Sequence, residues 1–240
     1  MEIKSVVITG GAGGIGGALD RCLVARGVET TVIDIRGATD AGGKGVVRAD
    51  VSREEEVGAA FAEIERRGVR FDGLVCCAGI VKDAPLVGVA PGSFAPYPLG
   101  AWSSTVAVNL TGTFLCVREF AVRCIRARRR SRVVTVSSPA ACGAPGQAAY
   151  AASKAGVEAM TLAAAAEFAP WGVTLCCVRP GLTDTPMAAA YPRAVLDRLA
   201  RRSSIGRIYS PEETAEAIVF CLFSDTVAGC VVPLDGGIKL

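Results

Sequence analysis

The sequence predicts one α/β domain built on a doubly wound parallel sheet, with helices on both faces. Three observations carry that expectation. Short apolar runs recur near residues 4–9, 29–34, 45–49, 72–76, 132–137, 173–178 and 230–234. Stretches of helical periodicity lie between most of them, over 15–26, 53–67, 102–128, 150–168 and 211–223. A glycine cluster separates the first apolar run from the first helical stretch. Strands alternating with helices imply crossover connections and parallel neighbours. The carboxyl ends of such strands share one edge, where ligands bind. At 240 residues the chain suits a single domain spanning 1–240, with no linker-like stretch to divide it.

Taken in order, the first strand ends in Thr9-Gly10-Gly11-Ala12-Gly13-Gly14-Ile15-Gly16, followed by an amphipathic stretch over 18–26. Strand, glycine turn and helix form the context of a dinucleotide-binding fingerprint. Glycines let the backbone approach a pyrophosphate, and the helix N-terminus offers free N–H groups and a favourable dipole. The second strand ends in Asp34, placed to accept hydrogen bonds from the adenosine ribose. A carboxylate there repels a 2′-phosphate, so NAD is favoured over NADP, although Arg36 two residues on softens that preference. The fourth strand ends in Cys76-Cys77, adjacent residues whose side chains point to opposite faces and read as small apolar fillers.

The fifth strand leads through Ser137-Ser138 to Tyr150-Ala151-Ala152-Ser153-Lys154. A tyrosine and a lysine four apart share one helix face. A free phenol titrates near a pKa of roughly 10, and a neighbouring ammonium favours the phenolate. Such a pair can exchange a proton with an alcohol oxygen. The helix that carries it is rich in alanine, a strong helix former. Strand six ends at Pro180-Gly181, and Gly10, Asp34, Ala78, Ser138 and Pro180 all fall at the carboxyl ends of strands.

Together these motifs resemble the short-chain dehydrogenase/reductase family over nearly the whole chain, from Val6 to Gly237, with a Rossmann-like fold. The resemblance carries over the glycine turn (Gly10, Gly14, Ile15, Gly16), Asp34, an Asp-Val pair at Asp50-Val51 that meets adenine, and Ala78-Gly79. It also carries Asn109, Pro180-Gly181 with Thr183 and Thr185, and a closing Asp235-Gly236-Gly237. The family's Asn-Asn-Ala-Gly turn is altered here to Cys76-Cys77-Ala78-Gly79. The implied catalytic set is Asn109, Ser138, Tyr150 and Lys154. Tyr150 acts as acid/base, and Lys154 lowers its pKa and holds the nicotinamide ribose. Ser138 bonds the substrate oxygen, and Asn109 positions a relay water. Spacing to the tyrosine selects Ser137 for the serine, whereas the strand alignment selects Ser138. A deletion is easier in the loop 139–146 than in a strand, which favours Ser138.

The resemblance further implies a homotetramer using the 150–168 helix and the one before it. Two long segments, 80–101 and 182–202, are expected to shape the substrate pocket, the second as a mobile lid. The length of the first resembles the type-2 3-hydroxyacyl-CoA dehydrogenases, and the chain as a whole also resembles the 3-oxoacyl reductases. The expected substrate is therefore a short 3-hydroxyacyl or 3-oxoacyl thioester, CoA- or carrier-bound. Two alternatives stay open, a cyclic or polyketide-like alcohol or ketone and a silent nucleotide-binding scaffold.

Composition narrows the classes. The chain has no histidine, which excludes Ser-His and Cys-His nucleophiles and His-ligated metals. Its ten cysteines form no Cys-x-x-Cys, so no metal is expected. A net charge of +3 is too mild for nucleic-acid binding. The basic run Arg126-Ala127-Arg128-Arg129-Arg130-Ser131-Arg132 reads as a solvated helix end, or as a docking patch for the phosphates of an acyl carrier. No signal peptide or long apolar run is evident, so a soluble cytoplasmic protein is expected.

Overall fold

The computed structural model describes residues 2–37 and 45–238. Its main sheet has seven parallel strands in the order β3-β2-β1-β4-β7-β8-β9. These are β1 (Ser5–Thr9), β2 (Glu29–Asp34), β3 (Val46–Arg48), β4 (Gly73–Cys76), β7 (Ser131–Val136), β8 (Val173–Pro180) and β9 (Val231–Leu234). All five residues of β1 are buried, as a strand covered on both faces requires. One face packs on α1 (Gly14–Val24) and α7 (Pro211–Phe223) through Leu19, Leu23, Ile218 and Leu222. The other packs on α2 (Glu54–Arg66), α4 (Gly112–Arg126) and α5 (Ala148–Phe168), where Phe71 meets the rings of Phe61 and Phe120. Truncating a buried ring such as Phe120 costs about 3–5 kcal/mol.

Local sequence explains the clearest helix start. Ser210, Pro211 and Glu213 form a capping box, with Ser210 Oγ accepting from the Glu213 N–H and Glu213 bonding back to the Ser210 N–H.

Three expectations are corrected. The single helix expected over 102–128 is α3 (Leu99–Val106), a π-turn (Ala107–Thr111) and α4, continuous with one another. By length and composition Leu99–Arg126 could cross a membrane, yet 50% of its apolar window is buried inside the fold, as in a core helix. The segments 80–101 and 182–202 are not bare loops. The first holds a hairpin of β5 (Val87–Ala90) and β6 (Ser93–Pro96), turned at Gly92 with φ +71°, and the second holds α6 (Arg193–Ala200). Pro91-Gly92 was the available signal for the hairpin. Finally, the arginine run joins the end of α4 to the start of β7, so Arg126–Arg130 lies at the edge opposite the carboxyl ends of the strands. It cannot meet phosphates in that crevice. Arg132 is itself buried, bonded to the Ser224 carbonyl and paired with Asp225.

Candidate active site

A crevice of about 900 Å³ runs along the carboxyl ends of β1, β2, β4, β7 and β8. Its first half is made by backbone. Gly10 adopts φ +70° and its N–H bonds to the Ile33 carbonyl at 2.8 Å. A Cβ on Gly10 would stand 2.7 Å from the Ala78 Cα, and one on Gly16 would stand 2.4 Å from the Gly10 oxygen. No side chain caps α1, so its first N–H groups face the crevice beside Gly13 and Gly14. Asp34 is buried at the end of β2, where its carboxylate accepts from the Ala12 and Arg36 N–H groups and lies 3.5 Å from the Arg36 guanidinium.

Other expected cofactor residues surround this turn. Asp50 and Val51 line the crevice, and the Asp50 carboxylate accepts from the N–H and hydroxyl of Ser52. The Ala78 N–H donates to Thr9 Oγ1. Ile15, Gly79, Pro180, Gly181 and Thr185 line the same space, with Thr185 opposite Gly14. Thr183 also borders it, but its hydroxyl is engaged with the Gly181 carbonyl and Thr214. A glycine turn that no Cβ can enter, an uncapped helix end and a carboxylate at the β2 tip fit a dinucleotide.

In the second half, the structure brings Ser138, Tyr150, Lys154 and Asn109 together. Ser137 and Ser138 alternate in direction, as consecutive extended residues do. Ser137 Oγ donates to Glu158 at 2.7 Å, and Glu158 is held by a two-point pair with Arg179. Ser138 instead faces the Tyr150 phenol and favours its ionised form. Lys154 Nζ is buried, donates to the Val136 carbonyl at 2.8 Å and lies 5.7 Å from the centre of the Tyr150 ring.

Burial pushes the Tyr150 phenol up to about 12, Ser138 opposes this, and the Asp83 carboxylate adds to it. Burial also disfavours the Lys154 ammonium, which donates to the Val136 carbonyl. Asn109, in the π-turn, donates its amide hydrogens to the Ile80 carbonyl and to Ser153 Oγ, while its oxygen accepts the Ile80 N–H at 2.8 Å. Its side chain clamps the loop after β4 to α5 with both amide hydrogens.

The sequence profile of the enoyl-(acyl carrier protein) reductase family matches residues 10–239. The chain belongs to the short-chain dehydrogenase/reductase family. It is 38% identical to cis-4-hydroxycyclohexanecarboxylate dehydrogenase of Sinomonas cyclohexanicum, over 98% of this chain and 96% of that protein. It is 32% identical to human 3-hydroxyacyl-CoA dehydrogenase type-2, over 98% and 94%. The crystal structure of ribose-5-phosphate isomerase from Brucella melitensis 16M superposes with a TM-score of 0.87 and 31% identity, over 99% of this chain and 93% of that one. As a member of the short-chain dehydrogenase/reductase family the protein is an oxidoreductase for alcohols and ketones that uses a nicotinamide cofactor.

Within this dehydrogenase/reductase site the altered Cys76-Cys77 turn keeps its backbone role, since the Cys77 N–H bonds to the Thr9 carbonyl. Cys76 packs into the core on the α2–α4–α5 side and Cys77 against the other. Burial pushes the Cys77 thiol up to about 12. Sequence reasoning missed Asp83 and Tyr191, which line the substrate side beside Gln147 and Tyr150. It also missed Arg198 and Arg202, which line the crevice from α6 and the residues just after it. None of these stands in a local pattern, so only the folded chain reveals them.

Proposed function

We propose that this oxidoreductase interconverts a secondary alcohol and its ketone with NAD(H), and that the substrate is a short 3-hydroxyacyl or 3-oxoacyl thioester. The observation that carries the reading is the convergence of Ser138, Tyr150 and Lys154 beside the glycine cradle. A nicotinamide held there would supply hydride transfer to the ketone carbon or from the carbinol carbon. Tyr150 Oη moves the proton. A phenol held near 12 is protonated at neutral pH and ready to give its proton to a ketone oxygen. Ser138 Oγ donates to that same oxygen, where charge changes in the transition state. Lys154, fixed by the Val136 carbonyl, holds the nicotinamide ribose and supplies positive charge behind the phenol.

Asp34 supports NAD over NADP, because a buried carboxylate at the ribose position repels an added phosphate. Arg198 and Arg202, which form no ion pair among the described residues, offer their guanidinium groups to the anionic portion of a carrier-bound acyl group, the role the Arg126–Arg130 run cannot fill. Exposed Phe114 and Val122 on α4 and Leu162 on α5 support a homotetramer covering those helices. Ten free cysteines suit the reducing cytoplasm. A cyclic alcohol or ketone is the second reading, favoured by the 38% identity to the Sinomonas enzyme.

The test is absorbance at the NADH band with acetoacetyl-CoA, for wild type and Tyr150→Phe, each with NADH and NADPH. Rapid loss of NADH that the substitution abolishes is expected. Absent turnover, with 4-oxocyclohexanecarboxylate reduced instead, would move the assignment to ring substrates.

A further inference from the structure

One carboxylate ties together the segments that wall the substrate side. Asp83 lies on the loop after β4, and its Oδ2 accepts from the Tyr191 hydroxyl and, at 2.5 Å, from Gln147 Nε2. Gln147 Nε2 also donates to the Tyr191 oxygen at 3.1 Å, closing a three-membered cluster. Tyr191 belongs to the lid, between Ala190 and α6, and Gln147 is the residue that precedes α5, three positions before Tyr150. All four side chains border the crevice. The 80–101 loop, the lid and the helix bearing the acid/base group are therefore joined at one point.

The charge at that point is not neutralised by an ion pair. Lys82, next to Asp83 in sequence, is turned to Ser104 Oγ at 2.9 Å. Among the described residues no arginine or lysine forms a salt bridge with Asp83. The carboxylate's field reaches the phenol, adding to burial in holding Tyr150 up. A substrate oxygen must lie against that same phenol. Asp83 is exposed, so a second negative charge within a few ångströms meets a repulsion that water moderates but does not abolish at that distance.

We propose that Asp83, positioned by Tyr191 and Gln147, is a specificity-determining residue that rejects free 3-hydroxy acids and admits their neutral esters and thioesters. The inference rests on the thioester reading above and deepens it. An ester or thioester carries no charge two carbons from the carbinol, whereas a free acid places its carboxylate there, beside Asp83. Gln147 and Tyr191 commit their donors to Asp83 and to one another, so neither is free to welcome an acid at that point, whereas Arg198 and Arg202 line the crevice from α6 and the residues just after it.

The experiment compares 3-hydroxybutyrate with its methyl ester, probes of the same skeleton that differ in charge. Dissociation constants come from calorimetry on the NADH-loaded protein, and kcat/KM from oxidation with NAD. Wild type is expected to prefer the ester. Asp83→Asn is expected to raise the acid-to-ester ratio about tenfold in both readouts, and Asp83→Glu to leave the ester preferred. An unchanged ratio in Asp83→Asn, or binding of neither probe by that variant, overturns the proposal. Binding discrimination needs no turnover. A protein that separates the probes by charge but oxidises neither refutes the thioester reading and leaves the role of Asp83 standing.

Discussion

The two halves of the crevice are built from different materials. The cofactor half is backbone at the tips of β1, β2 and β4, with a helix N-terminus and a single carboxylate, Asp34. Glycine contacts of 2.4 and 2.7 Å leave it no freedom to vary. The substrate half is side chains on three segments distant in sequence, held by Asp83, Gln147 and Tyr191. A rigid half can be specified by a local motif, whereas a half assembled from loops is specified only by the contacts loops make.

Substitutions that disable one half while sparing the other test this division. The largest effect is expected from Tyr150→Phe, which removes the proton at the reacting oxygen. Its kcat falls by about 10²–10⁴, while NADH titration by fluorescence gives a nearly unchanged dissociation constant. Equal loss of binding and turnover would mean that the halves are not separable.

Ser138→Ala comes next, with kcat lowered by about 10². Ser137→Ala should leave kcat nearly unchanged and cost about 1 kcal/mol in denaturant unfolding, because it loses only its hydroxyl's bonds to Glu158 and the Lys154 carbonyl. A reversed pattern would exchange the two serines.

Gly16→Ala strikes the other half. Its Cβ collides with the Gly10 oxygen, and relieving that contact costs about 1–3 kcal/mol. Thermal unfolding and NADH affinity should both decline, and unaltered affinity would disprove the cradle.

The smallest effect is expected from Asp20 on α1, away from both halves. It is fully buried, neither oxygen has a partner at hydrogen-bond geometry among the described residues, and burial raises its pKa against the weaker opposing pull of nearby Thr30 and Arg21. A folded pKa above the unfolded value of about 3.9 means the folded state holds the proton more tightly. Ionisation therefore costs stability that is absent below the unfolded pKa and grows as pH rises toward the folded one. Asp20→Asn should raise Tm at pH 7 but hardly at pH 3. An equal shift at both would trace the effect to shape rather than charge.

Much of the fold was legible because its signals are local. Each of the seven parallel strands was expected within about two residues of where it lies, since buried parallel strands read as apolar runs. Tyr150 and Lys154 were legible through helical spacing, and Gly10 and Asp34 through their place at strand ends. The break at Asn109 was not, because a π-turn keeps helical periodicity while shifting the register. The hairpin carried its Pro91-Gly92 signal, but its strands are mostly exposed and show no alternation. The burial that holds the Tyr150 phenol up was not legible, because spacing gives adjacency but not burial.

The sequence by itself determined the parallel sheet, the glycine cradle and the helix face that pairs Tyr150 with Lys154. Each depends on residues within a few positions of one another, whose backbone preferences and periodicity act locally. Only the tertiary structure decided which serine faces the phenol, which edge the arginine run occupies, and that Asp83 meets Tyr191 across 108 positions. Those outcomes depend on strand alternation, crossover direction and long-range packing, and no short window of sequence contains them.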